Sequence, residues 1–122
     1  MISLSENQQK ETELCSINAL GEIGDDRSVE ALVEILRDTD KEIRIAAVEA
    51  LGKIKDSKAI RPLVNIMVDE DIQLYVIWAL GNIGDKNAVP VLTKLLNHED
   101  KYVRYNAAQS LKKFGKLNRN GT

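Results

Sequence analysis

Cysteine occurs once in this chain, at Cys15, so no internal disulfide can form and no cysteine metal cluster can be built. On a helix it reads as a small, half-buried filler. Histidine also occurs once, at His98, in a stretch that reads as a turn. One turn histidine and one distant cysteine cannot assemble a Ser-His-Asp or Cys-His constellation. Glycine (7) and proline (2) are sparse, which excludes long irregular loops. Each Gly-x-x-Gly falls at a helix end, so none is a phosphate-cradling loop. Aromatic residues make up 4% of the chain, so the core is aliphatic. No apolar run is long enough to span a bilayer, and Met1 to Glu6 lacks the basic-then-apolar layout of a signal peptide. The expected compartment is therefore the cytoplasm, with no membrane partner. No catalytic residue, metal or cofactor is expected.

What is present is a repeat. Leu20-Gly21-Glu22-Ile23-Gly24-Asp25 returns as Leu80-Gly81-Asn82-Ile83-Gly84-Asp85. Degraded copies begin at Leu51 and Leu111, so the leucines lie 31, 29 and 31 residues apart. A fixed period of this size marks a stack of like units. Hydrophobic residues at 43% and charged residues at 30% are ordinary for a folded chain.

The first helix is expected from Ser5, a good N-cap, to Ile23, with Leu14, Ile17, Leu20 and Ile23 on one face. Gly24 ends it, and Asp25 or Asp26 caps the next helix. That helix turns Val29, Leu32, Ile35 and Leu36 inward. After a turn at Asp38-Thr39-Asp40, a second helix of about 41–54 turns Ile43, Ala47, Ala50, Leu51 and Ile54 inward. The unit returns with Ile60, Leu63, Ile66 and Met67, then Ile72, Val76, Ala79, Leu80 and Ile83. It returns again with Val89, Leu92, Leu95 and Leu96, then Val103, Ala107, Leu111 and Phe114. Pro62 and Pro90 fall near helix starts, where backbone donors are largely free of intrahelical partners. The turn at Asp69-Glu70-Asp71 is two residues shorter than its counterparts. The expectation is one all-α domain over 1–122, a right-handed α-solenoid of antiparallel helix pairs with about seven helices. It comprises a lone helix at about 5–24, repeats at about 26–55, 57–84 and 86–115, and a frayed tail at 116–122.

The Asp-x-Asp turn followed by an apolar-Arg pair (Asp38, Asp40, Ile43, Arg44), the Ala-Ala pairs (Ala46 and Ala47, Ala107 and Ala108) and the Leu-Gly-x-Ile-Gly-Asp helix ends carry a resemblance. The pattern resembles HEAT repeats, most closely the short-repeat subtype of the lyases that attach bilins to phycobiliproteins, over about residues 11–116. The resemblance implies a ladder between neighbouring repeats from turn aspartates Asp38, Asp40, Asp69, Asp71 and Asp100 and arginines Arg44 and Arg104. Gln73 and Glu13 depart from the arginine position, so the ladder is expected to break there. It also implies that second helices line a concave face. In the HEAT-type deoxyhypusine hydroxylases, His-Glu pairs hold iron, but the matching positions here are Tyr105-Asn106 and Ile45-Ala46.

Aligned on the leucine, the concave rows read Cys15, Ala46, Tyr75, Asn106; then Asn18, Glu49, Trp78, Gln109; then Glu22, Lys53, Asn82, Lys113. Tyr75 and Trp78 share a helix face. With Tyr102 and Tyr105 one repeat on, they predict a protein-binding patch that also takes in Glu49, Asn82, Asn106 and Gln109. The alternative is that Trp78 or Tyr75 fills the space left by the short turn.

Charge is uneven. Residues 1–40 carry 10 acids against 3 bases, whereas 101–122 carry 6 bases and no acid. At the C-terminal end Lys112 stands where Gly21, Gly52 and Gly81 stood, which reads as a finished end. At the N-terminal end the lone helix lacks a partner. Self-association through that helix or through opposite-charge ends is one expectation, and a protein partner on the concave face is the main one. Lys101, Arg104, Lys112 and Lys113 with Tyr102 and Tyr105 form the basic, aromatic surface of a nucleic-acid reading. The pI near 5.5 argues against it. The remaining alternative is an accessory subunit of a bilin-lyase-like enzyme.

Overall fold

Ser5 starts the first helix as an N-cap. Its hydroxyl accepts the Gln8 N–H at 3.2 Å while the Gln8 side chain accepts the Ser5 N–H at 2.9 Å. A computed structural model describes residues 5–121, with side chains through residue 115. Helix α1 (Glu6–Ile23) ends at Gly24, whose φ of 62° is the left-handed stop that glycine accepts most readily. Asp25 then caps α2 (Asp26–Ile35), accepting the Ser28 N–H at 2.8 Å and the Ser28 hydroxyl at 2.9 Å. Asp40 caps α3 (Lys41–Ile54) through the Glu42 N–H at 2.8 Å. This helix also stops left-handed, but with Lys55 at φ 62° in the glycine's place.

The second unit opens with a 3-10 turn, Ser57–Ala59, before α4 (Ile60–Asn65). A further 3-10 turn, Ile66–Val68, leads to α5 (Gln73–Ile83). The third has the turn Lys86–Ala88, then α6 (Val89–Leu95) and α7 (Lys101–Gly121), in which Asp100 accepts the Tyr102 N–H at 2.8 Å. The short second turn leaves α5 without a side-chain cap, and α5 starts three residues later than α3 relative to the repeated leucine.

Among the described residues the protein is all-helical, with seven α-helices wound as a right-handed α-solenoid. The second helices α1, α3, α5 and α7 pack on one another in sequence, and α2, α4 and α6 cover their other side. The core between the layers is aliphatic. Leu32, Leu51, Leu63, Ile77, Leu80 and Leu92 are all 0% exposed. Ser28 and Ser110 are the buried polar exceptions among the described residues, and both hydroxyls are satisfied, Ser28 donating to Asp25 and Ser110 to the Ile77 carbonyl, each at 2.9 Å.

Four expectations change. Leu96, expected inward with Val89, Leu92 and Leu95, is 38% exposed. Ile23 is 65% exposed rather than inward, because its counterparts Ile54 and Ile83 are covered by a preceding second helix and α1 has none before it among the described residues. Cys15 is exposed, as is Tyr75 in the same row. The backbone over 116–121 is helical, not a frayed tail. Gly115 aligns with Gly84, but Lys116 follows it where Asp85 would cap a new helix, so the helical hydrogen bonding continues. Residues 1–4 and residue 122 lie outside the described residues.

The glycine after each of the first three repeated leucines sets the distance between units. A Cβ on Gly21 would meet Ala50 Cβ at 3.2 Å. On Gly52 it would meet the Trp78 ring at 2.6 Å and the Ala79 Cα at 3.1 Å, and on Gly81 the Ser110 Cβ and Oγ at 2.6 Å. Alanine gains up to about 1 kcal/mol of helix propensity over glycine. Overpacking a core costs about 1–3 kcal/mol. Urea unfolding should therefore find Gly21→Ala close to neutral and Gly81→Ala the most destabilised, by about 1–3 kcal/mol. Equal losses at both sites would sink this account of unit spacing.

Candidate functional site

The concave side of α1 and α3 forms an open groove of about 590 Å³. Leu14 from α1, Ile45 and Ala46 from α3 and Tyr75 from α5 supply its apolar surface. Glu22, Glu42, Glu49 and Lys53 supply its charge, three acids to one base. Tyr75, 41% exposed, closes the end nearer the C-terminus. The groove thus lies one repeat earlier than the surface centred on Tyr75 and Trp78 that the sequence predicted. Of the predicted residues, Tyr75 and Glu49 line it. Leu14 and Ile45 were missed; both stand six residues before their repeated leucine, a row that was not singled out.

Trp78 explains the displacement. It stands in the row of Asn18 and Glu49, but its ring lies over Gly52 of the preceding unit. It fills between α3 and α5 the space that stays open between α1 and α3. Still 36% exposed, it carries the Lys113 ammonium 5.9 Å from its ring centroid. Asn82 reaches back to the Gly52 carbonyl at 2.9 Å, and Asn106 donates to the Tyr102 carbonyl at 2.8 Å on its own helix. Both amides are therefore used inside the solenoid. Tyr102 and Tyr105, 60% and 63% exposed, stand with exposed Gln109 on α7, away from the groove lining.

The turn residues form one complete rung. Arg44 Nη1 donates to the carbonyls of Asp38 at 2.8 Å and Thr39 at 3.1 Å, and Nη2 meets Asp69 of the next unit at 3.0 Å. Arg104 makes the same backbone contacts, to His98 and Glu99 at 2.7 and 2.9 Å. Position 73 cannot repeat this. The residues six and five before it, Met67 and Val68, belong to the 3-10 turn. Its onward partner changes too. Asp38 and Asp69 accept the N–H two residues on, at 2.8 and 3.0 Å. In the third unit His98 Nδ1 takes that role, accepting the Asp100 N–H at 3.0 Å. Asp71, in the register of Asp40 and Asp100, is exposed. Where Glu13 breaks the pattern, Lys10 bridges the units instead, 3.1 Å from Asp40 and 3.3 Å from Glu42.

These contacts shift ionisation. The Lys10 ammonium, with help from the Glu42 and Ile43 N–H groups, holds Asp40 below the usual carboxylate range. The Ser28 N–H and hydroxyl do the same for Asp25, and the Ser57 hydroxyl with the Asn87 N–H for Asp85. Asp40 pushes Lys10 upward, and Asp26 pushes Lys58 upward.

A description of HEAT repeats matches residues 2–73 and 68–119. The chain belongs to the HEAT-repeat family. No curated protein matches it. Among solved structures, this HEAT chain is similar to the complex of CpcE and CpcF of phycocyanin lyase from Nostoc sp. PCC7120. The TM-score is 0.65 and the identity 27%, over 82% of this chain and 43% of that one. The HEAT chain therefore spans less than half the length of that protein. Among the described residues no helix is long and apolar enough to cross a membrane.

Two outcomes are expected. A carboxylate whose folded pKa is depressed stabilises the fold above its ordinary value of 3.8 and loses that contribution as pH falls through the folded value. The melting temperature should hold above about pH 5 and fall in more acid solution. Combining Asp25→Asn, Asp40→Asn and Asp85→Asn keeps a cap acceptor but should flatten that fall; an unchanged acid limb would refute the assignment. Trp78→Ala and Gly52→Ala should couple, since removing the ring frees the space a Cβ needs. A double-mutant cycle should give an interaction of about 0.5–3 kcal/mol, with Gly52→Ala less costly in the Trp78→Ala background.

Proposed function

We propose that the protein is a non-catalytic HEAT-type binding module whose concave groove holds a segment of a partner protein. The observation that carries this reading is the groove itself. It has an apolar lining from Leu14, Ile45, Ala46 and Tyr75, with Glu22 and Glu49 beside it. Glu42 is partly neutralised by Lys10. Such a surface fits an amphipathic segment that sets aliphatic side chains on the lining and basic ones toward the acids. His98, the one histidine, stands outside the groove, held in a turn hydrogen bond on another unit. The reading places the protein in the cytoplasm.

A second reading rests on the likeness to the CpcE–CpcF complex, a pairing of two chains. In it, this protein is an accessory subunit of a bilin-lyase-like enzyme. Mixing the protein with either chain of the CpcE–CpcF pair, apo-phycocyanin and a bilin, and following the visible absorbance of attached pigment, tests it directly. No gain in attachment over the protein-free mixture counts against it.

The main reading is tested by selecting random displayed peptides on the full chain. Enriched peptides should combine Leu, Ile or Val with Lys or Arg. Ala46→Trp fills the groove and should weaken them at least about tenfold, a loss of about 1.4 kcal/mol, without lowering the melting temperature. Peptides that bind Ala46→Trp as well as the parent chain would move the site elsewhere.

A further inference from the structure

The in-chain contacts between successive second helices also describe what the two ends of the rod can do to each other. Counted from the repeated leucines, Lys10 and Lys101 occupy the same position, ten residues before. Glu42 and Glu11 share another, nine residues before. Within the chain Lys10 of α1 reaches forward to Glu42 of α3, 3.3 Å away. A further second helix placed after α7 in the same register would therefore set its own nine-before residue against Lys101. In a second copy that residue is Glu11.

A second pair follows from the same stacking. The residue after each leucine faces the residue before the next leucine, as Gly21 faces Ala50 and Gly81 faces Ser110. The residue two after a leucine can reach back across the junction, as Asn82 does to Gly52 at 2.9 Å. Lys112 of one copy is thus set opposite Ala19 and Glu22 of the next. Glu11, Ala19, Glu22, Lys101 and Lys112 are all exposed. Ile23, 65% exposed, stands on the receiving face, and Tyr105, 63% exposed, on the offering one. Arg104 adds charge there, having no carboxylate within salt-bridge distance among the described residues. The wider charge agrees, with 10 acids against 3 bases in residues 1–40 and 6 bases without an acid in 101–122.

We propose that the C-terminal end of one copy docks on the N-terminal end of a second in the register of the repeat itself, with Lys101 meeting Glu11 and Lys112 meeting Glu22. Lys112 replaces the glycine that lets units close up, so the contact is looser than an internal junction and rests on charge. It is heterologous, with different surfaces on the two partners, so it propagates instead of closing. Salt weakens it, because exposed pairs are screened as the Debye length falls from about 30 Å at 0.01 M to about 3 Å at 1 M salt.

Sedimentation velocity on the full chain tests the proposal. At about 0.01 M salt the weight-average mass should climb with concentration past twice the monomer without a plateau, and at about 1 M it should return toward the monomer. Lys101→Glu and Glu11→Lys should each hold the chain monomeric, with unchanged circular dichroism. Mixing the two variants should restore growth, because the two introduced charges oppose each other at one junction and the parental pair, Lys101 with Glu11, forms at the alternate one. Concentration-independent monomer at low salt, a dimer that saturates, or variants that assemble like the parent would each overturn it.

Discussion

The close approach of one second helix to the next is the constraint on which the rest of the solenoid depends. A helix pair this short cannot bury its apolar face alone and must share it with its neighbours. Sharing needs the backbones to come near, and the residue after each repeated leucine decides how near. With no side chain at Gly52 or Gly81, the facing Ala79 and Ser110 sit against backbone. Leu51 and Leu80 are then carried to full burial beside them. The same approach leaves room at the surface for a side chain to lie across a junction. Trp78 does so between α3 and α5. Between α1 and α3 no large residue does, and the groove is what remains.

Electrostatic contacts between units are secondary and locally improvised. One arginine rung is complete, Arg44 to Asp69, and it is the most buried of the ion pairs. The junction before it uses Lys10, and the Lys58–Asp26 pair is largely exposed. Exposed pairs contribute little to stability.

Much of this was legible in the sequence because the governing features are local. Glycine or aspartate at a helix boundary acts through a backbone angle or a cap, and the Leu-Gly-x-Ile-Gly-Asp phrase states both. Gln73 was visible as a departure from the arginine pattern, but its cause was not. The shortened turn withdraws the carbonyls an arginine would brace, and that is a fact of backbone path. The place of Trp78 depended on the direction its ring takes at a junction, which composition and spacing do not encode. The exposure of Ile23 depended on what stands before α1. Lys10 left a usable signal: once the units are aligned it falls in the register of Lys41, between Asp40 and Glu42, although the arginine pattern drew attention to Glu13 instead.

Trp78 is the chain's one tryptophan, and it touches Gly52 of one unit while Lys113 of another lies over it. The indole therefore senses the docking of units, not the winding of any single helix. In a stack held by nearest-neighbour contacts, those two properties separate when the ends fray. Far-ultraviolet signals fall with every helix that melts, whereas indole emission changes only when the central junctions part. The protein thus carries its own optical gauge of how cooperatively a three-unit solenoid holds together.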